Sequence, residues 1–285
     1  MSGCGDHAPL ILQNVSVSFL RAIRVRMAFF FGNKYNDSME YKYTSIVLGK
    51  RDVGETDRIY SLYTLEGGKV QTLAKGVRKA GAKLAGLLEN FTYADISVAR
   101  NQGMGKITSS VVENSFPSLR SDYYSLSKTL SIFNIFNKIV DLDHKDPAVF
   151  VLLREFLEAV DSQSLISSTM KTEDYEDRVE LLSAVFLYKL LDTLGYGSQI
   201  DGCAECSREM EKTEEAEAFF SAKSGGLVCK DCGSKIGNLL SLSGNSVKLM
   251  HISLKNNLKS FAKLKVQRKD VNHVKMAIRE ILAWI

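Results

Sequence analysis

The sequence predicts an α+β protein of several parts: a five-stranded β-barrel, then an α-helical bundle that carries a four-cysteine metal knuckle. Three observations carry this. Between residues 41 and 116 short β-branched and aromatic runs alternate with turn signals, and after Pro117 the apolar period lengthens to that of helices. Two C-x-x-C pairs then stand 22 residues apart.

Residues 1–40 fit neither pattern. They mix a short alternating run (Val15 to Phe19), the basic RAIRVR, the triplet Phe29 to Phe31 and the polar GNKYNDSME. They are expected to lie outside the core, as a poorly structured extension or a start assigned too early, with Met27 or Met39 as the alternatives. Cys4 is then a spare thiol.

From Tyr43 come YTSIVLGK, DRIYSLYTLE, KVQTLAKG, FTYADISVAR and GKITSSVVEN, separated by glycine- and aspartate-rich turns. Five short, antiparallel-looking strands in about seventy residues suit a small closed barrel, for which the oligonucleotide-binding (OB) type is the commonest. Residues 117–200 follow as a bundle. Leu126, Leu130, Phe133 and Phe136 recur at helical spacing, as do Val149, Leu152, Phe156 and Val160, then Val179, Leu182, Phe186, Leu190 and Leu194. Gly195 and Gly197 are the stop signals. The knuckle occupies 201–240, and 241–285 holds further helices that pack on the bundle.

The 285 residues carry a net charge of only +4, but it is segregated. Tyr41 to Arg120 holds twelve Lys/Arg against seven Asp/Glu, and Ser246 to Ile285 nine against two. Segregated cations attract polyanions such as nucleic acid or acidic tails.

The densest cluster surrounds AKGVRKAGAKL: from 69 to 83, Lys69, Lys75, Arg78, Lys79 and Lys83 fall within fifteen residues that contain no acid. A nucleotide-phosphate loop needs G-x-x-x-x-G-K-[ST]. Here Gly76 and Gly81 are followed by Ala82, Lys83 and Leu84, so the lysine is displaced and the magnesium-holding hydroxyl is missing. Nucleotide hydrolysis is disfavoured, and no clustered Ser/His/Asp or paired-carboxylate motif supports another enzyme.

Cys203, Cys206, Cys229 and Cys232 suit one tetrahedral Zn²⁺, with AFFSAKSGGLVC as the hairpin that returns the second pair to the first. Four thiolates close the shell, so the site is structural. A deaminase would need H-x-E, which follows none of His7, His144, His251 or His273, and a thioredoxin-like redox pair needs a single C-x-x-C on a βαβ unit. Clustered cysteines and the lack of a long apolar run point to a reducing cytoplasm without a membrane span.

The blocks VGETDRIYSLYT, GGKVQTLAKGVRKAGAKLAG, LLENFTYADISV and SSVVENSFPSLR, continuing into the helices and cysteine pairs, resemble the RecO recombination mediators of bacteria. The resemblance runs from about Tyr43 to near the C-terminus. It implies a monomeric, nucleoid-associated, non-enzymatic protein that binds single- and double-stranded DNA through its barrel and anneals complementary strands. It further implies contact with the tail of single-stranded DNA-binding protein (SSB) and, with RecR in the RecF pathway, help in loading RecA. Residues 1–40 have no counterpart, and a further short segment is expected after REILAWI.

On this basis the candidate DNA contacts are Lys50, Arg51, Arg58, Tyr60, Lys69, Lys75, Arg78, Lys79, Lys83 and Arg100, with cations meeting phosphates and Tyr60 stacking on a base. In the basic tail, Val247, Leu254, Leu258, Phe261, Val274, Ile278 and Leu282 form either a cation-rimmed cleft for an acidic tail ending in an aromatic residue, or part of the core. The rival to the mediator is a zinc-ribbon interaction module that binds acidic partners without DNA.

Overall fold

The structure, a computed structural model, describes residues 39–101, 103–209, 218–237 and 239–285. Except for Met39 and Glu40, which already belong to the first strand, the expectations for residues 1–40 and for Cys4 lie outside the described residues.

Strands β1 (Met39–Val53), β2 (Asp57–Thr64), β3 (Gly68–Ala74), β4 (Tyr93–Arg100) and β5 (Lys106–Asn114) close into a barrel in the order β1-β2-β3-β5-β4. One neighbour differs from the expected pattern: β3 and β5 meet in parallel, at Leu73 and Lys106. The long segment between β3 and β4 makes this possible, because it carries the chain across the barrel before β4 begins. It does so as successive turns.

Strand alternation sorts the apolar residues into two sets. Val47, Leu62, Val70, Ile96, Val98 and Ile107 fill the barrel, whereas Ile46, Leu48 and Tyr63 point outward into the helical core. The continuous run Ile46-Val47-Leu48 is therefore buried on both faces.

Four helices follow: α1 (Pro117–Ser121), α2 (Tyr123–Ile139), α3 (Pro147–Leu165) and α4 (Thr172–Leu191). Asp122 caps α2 by accepting from the Ser125 amide at 2.7 Å, and Asp146 caps α3 by accepting from the Ala148 amide at 2.7 Å. The stripes expected on α3 and α4 are buried as far as Leu190; Leu194 is partly buried beyond them. On α2 the stripe is rotated, because Leu130 is 38% exposed while Ser125, Thr129, Ile132, Phe133 and Phe136 face inward. The reason is a polar cluster that an apolar count overlooks. Tyr175 donates to Asp122 at 2.6 Å, and the Ser164 hydroxyl donates to Ser125 at 2.9 Å. Helix α4 ends in a wide turn at Asp192–Tyr196, where Gly195 adopts φ 89° as the expected stop.

Beyond it, β6 (Ala218–Ser221), β7 (Gly226–Val228) and β8 (Leu240–Leu242) form a small sheet in the order β7-β6-β8, and α5 (Lys230–Gly233) starts one residue after Cys229. The chain closes with α6 (Gly244–Lys255), a 3₁₀ turn (Leu258–Lys263) and α7 (Arg268–Leu282). Of the two uses open to the C-terminal apolar residues, the structure selects core. Leu258, Phe261, Val274 and Ile278 are at most 2% exposed, and Val247, Leu254 and Leu282 pack partly buried on the same cluster. Glu180 ties α2, α4 and α7 together by accepting from Lys128 and Lys275. Burial pushes its carboxyl pKa up, but the two ammonium groups outweigh burial and hold it at about 2.

The barrel and the cysteine knuckle each keep a buried cluster of their own, and a larger cluster joins the parts. Residues Glu40–Ile285 form a single compact unit, with a continuous buried cluster from Ile46 through Phe133 and Phe186 to Phe220 and Ile278. One end of the barrel docks on the helices. Tyr63 meets Phe136 edge-on at 5.3 Å and Phe91 meets Phe133 at 4.7 Å. Phe91 and Phe116 are buried at φ 70° and 52°, a left-handed backbone that costs roughly 1 kcal/mol or more each and persists because their rings fill this junction. Arg120 adds bonds to the carbonyls of Asn90 and Ser115 and to the Thr92 hydroxyl.

Lys69 lies at the centre of this contact. Its ammonium donates to the carbonyls of Asn137 and Val140, both at 2.6 Å, which are left unpaired at the C-terminus of α2. Beside it, a Cβ on Gly68 (φ 67°) would sit 2.1 Å from the His144 carbonyl oxygen, so only glycine fits between hairpin and helix loop. Burial lowers the Lys69 pKa and nearby Asp141 partly restores it. Lys69→Met, which keeps the side-chain length but removes the donors, is expected to lower the unfolding free energy by about 2 kcal/mol. The urea denaturation midpoint measures this; an unchanged midpoint would show that the ammonium does not support the junction.

Candidate nucleic-acid interface and metal centre

Because one barrel end is docked, the other end is defined by register. Asp52 pairs with Arg58, and Arg58 with Ala74; Lys106 pairs with Ala99 and with Leu73. Four strands therefore bring a cation to the same rim: Arg51 from β1, Arg58 from β2, Lys75 just past β3 and Lys106 from β5; the side chain of Arg100 on β4 instead lies against the Tyr43 hydroxyl, and the Tyr43 ring abuts Gly67 of the docked hairpin. Lys106 was missed by the sequence reading. It is one lysine after a glycine turn, and only the crossover of β3 onto β5 reveals its neighbours.

The basic loop rises from this rim and is held by the β1–β2 turn. Asp57 accepts from the Gly76 amide at 2.7 Å and from the Thr56 hydroxyl at 3.0 Å. The Arg78 amide donates to the Thr56 carbonyl at 2.9 Å, and its guanidinium to the Gly54 carbonyl at 3.3 Å. The Asp52 carboxylate is shared by Arg58 at 2.7 Å and Arg78 at 3.4 Å. The bond from Gly76, followed by that from Thr56, holds the Asp57 pKa below its usual value; the bond from Arg58 does so for Asp52. The blocks GETD and LAKGVRK, read as separate motifs, are two sides of one contact.

The ten candidate contacts divide accordingly. Lys75, Arg78, Lys79 and Lys83 are exposed on the loop, Arg51 is exposed on the rim, and Arg100 is exposed against Tyr43. Among the described residues no carboxylate lies within ion-pair distance of Arg51, Lys75, Lys79, Lys83 or Lys106. Arg58 is half-buried against Asp52, and Lys50 pairs with Glu89 in the segment after the loop. Two candidates are withdrawn. Tyr60 is 0% exposed inside the barrel, where burial raises its hydroxyl pKa and Arg58 partly offsets this, so its ring is not presented to a base. Lys69 is 7% exposed and bonded to α2, so its cation does not face solvent.

The cysteines form the second site. The four sulfur atoms lie within 4.8 Å of one another, close enough to hold a single metal ion. Each pair sits on a knuckle: the Ser207 amide donates to the Cys203 carbonyl at 2.8 Å, and the Gly233 amide to the Cys229 carbonyl at 2.8 Å. Ser207 takes φ 58° to make the first turn. Pairing of Phe219 with Val228 and of Phe220 with Leu227 brings Cys229 back beside Cys203, whose sulfur accepts from the Cys229 amide at 3.3 Å. Burial pushes the Cys203 thiol pKa up, but the amides of Cys229, Cys206 and Glu205 outweigh burial and bring it to about 6. Cys232 is pushed up to about 12, first by Cys229 and then by Cys206. Phe219 and Ile236 pack over the sulfur atoms, and exposed Arg208 and Asp231 bridge the knuckles at 2.7 Å.

Known proteins match this order of parts. Residues 39–116 match the family described as Recombination protein O N terminal, and residues 120–284 match Recombination protein O C terminal. A DNA repair protein RecO of Dehalococcoides mccartyi is 30% identical over 247 residues, covering 86% of this chain and 90% of that protein. DNA repair protein RecO of Thermoanaerobacter sp. is 27% identical over 79% of this chain and 84% of its own length. That of Halalkalibacterium halodurans is 24% identical over 75% and 77%. The barrel falls within the first match and the helices and cysteine knuckle within the second, so the chain belongs to the Recombination protein O family.

Proposed function

We propose that this protein is a non-enzymatic mediator of DNA repair and homologous recombination that grips the phosphates of single- and double-stranded DNA at the free end of its barrel. The observation that supports it is the rim itself, where four strand ends and one latched loop converge their cations while the opposite end is docked. Arg51, Lys75, Arg78, Lys79, Lys83 and Lys106 are the assigned contacts, with Lys50 and Arg58 as their ion-paired neighbours and Arg100 set apart beside Tyr43. A surface that holds backbones and leaves bases unstacked keeps Watson–Crick edges free to pair, which is what strand annealing requires.

Within the family's pathway, the mediator works with RecR to load RecA onto SSB-coated DNA. The acidic SSB tail finds a charge complement in exposed Lys255, Lys259, Lys263, Lys265 and Lys269. With the residues of the expected cleft in the core, the apolar side of that contact falls to Leu264 and Val266 beside Arg178 and Lys265, in a pocket that Asp174 and Asp177 also line.

The cysteine site is assigned to one structural Zn²⁺. A tetrahedral Zn–S₄ centre with bonds of about 2.3 Å needs sulfur–sulfur edges of about 3.8 Å. The Cys206 and Cys229 sulfurs are 3.8 Å apart. When bound, the ion would join the two knuckles, which the Arg208–Asp231 pair and the Cys229 amide also link.

Two outcomes follow for this assignment. Single-strand binding is expected to weaken linearly on a log–log salt plot, and replacing Lys75, Lys79 and Lys83 together with alanine to lower the slope by about 2, alike for every sequence. A slope unchanged in the triple variant would place the DNA elsewhere. Elemental analysis of protein prepared without chelators is expected to find one zinc per chain, lost with reduced thermal stability in Cys206→Ser or Cys229→Ser; metal-free wild-type protein would contradict the site.

A further inference from the structure

The DNA-facing rim carries acids that simple electrostatics would remove. Asp57 is the clearest case, because it stands beneath the basic loop and its charge opposes a polyanion. Yet one of its oxygen atoms accepts both the Gly76 amide at 2.7 Å and the Thr56 hydroxyl at 3.0 Å. Gly76 is where the loop leaves β3 with φ 64°, so this bond fixes the direction in which Lys75, Arg78 and Lys79 set out. The next bond, from the Arg78 amide to the Thr56 carbonyl, holds the loop two residues further on. Glu55, one position before Thr56, is exposed and makes no bond to the loop among the described residues.

We propose that Asp57 is a positioning residue for DNA binding: its carboxylate orients the basic loop through Gly76, and this orientation outweighs the repulsion its charge exerts on phosphates. The inference rests on the phosphate-gripping function proposed above and extends it to a residue of the wrong sign. Electrostatics and positioning make opposite forecasts. If charge alone mattered, any neutral residue at 57 would tighten binding, because a nearby anion is lost. If orientation governs, only a neutral residue that still accepts a hydrogen bond is tolerated.

The test compares the affinity of Asp57→Ala, Asp57→Asn and Glu55→Gln with that of the intact protein for a single-stranded oligonucleotide at fixed salt. Amide hydrogen exchange at Gly76 and Arg78 is followed in the free proteins. Asp57→Ala is expected to bind about tenfold more weakly with faster exchange at Gly76, Asp57→Asn to recover both, and Glu55→Gln to bind equally or more tightly. Asp57→Ala binding as tightly as Asp57→Asn would overturn the proposal. Thr56→Val changes no charge and removes one of the two groups that hold the carboxylate. It must weaken binding in the same direction, and unchanged affinity there overturns the proposal even if Asp57→Ala fails to fold. Absence of DNA binding by the intact protein would instead refute the function on which the inference rests, while the exchange data still report on the latch.

Discussion

The seating of the Lys69 ammonium on the last carbonyls of α2 is the contact from which the rest of the molecule takes its orientation. A barrel has two similar ends, and a sequence does not say which one is covered. Lys69, Gly68, Tyr63 and Phe91 decide it by placing one end against the loop and helices between Phe133 and Phe150. The outcome is asymmetric: at the docked end Lys69 and Arg120 bond to carbonyls, while at the other end Arg51, Lys75, Lys79, Lys83 and Lys106 remain in water. The same device recurs farther along the chain, where Lys189 donates to the Ser253 and Asn256 carbonyls at the end of α6, at 2.9 and 3.0 Å. Here lysine joins elements by completing the hydrogen bonding of helix ends as well as by carrying charge.

Much of this was legible in the sequence. Residue alternation located all five strands, and the helical stripes of α3 and α4 were read correctly because apolar residues dominate their buried faces, with Gln163, Ser164 and Ser183 as the polar exceptions. Alternation gives a side chain's face but not its depth. Arg58 and Tyr60 share a face of β2, and Lys69 and Lys75 share one of β3, yet within each pair one residue reaches the rim and the other is buried. Charge did not signal the difference, since a lysine that meets helix carbonyls looks in sequence like one that meets solvent. On α2 the reverse error arose, because Ser125 and Thr129 are polar and buried, whereas Leu130 is apolar and exposed.

The site shows what register adds to motif. GETD and LAKGVRK are separated by fifteen residues that hold most of β2 and β3, and nothing in their spacing shows that Asp57 holds Gly76 or that Asp52 bridges Arg58 and Arg78. Lys106 joins the rim only because β5 crosses to β3. The cysteine site was easier to read. Its four ligands come in two short knuckles, and the hairpin that unites them lies between the pairs, so local spacing carried nearly all the information. The third strand, β8, was not anticipated, because Leu240-Ser241-Leu242 is too short to show a period.

If the docked end defines the free end, DNA must leave its footprint on one side of the barrel. Hydrogen–deuterium exchange with and without a saturating single-stranded oligonucleotide measures this directly, peptide by peptide. The account predicts added protection in the β1–β2 turn, residues 50–58, and in the basic loop, residues 75–83, with none in the hairpin and helix loop at residues 63–69 and 137–146. Protection confined to the helices after residue 240, with the rim unchanged, would contradict it.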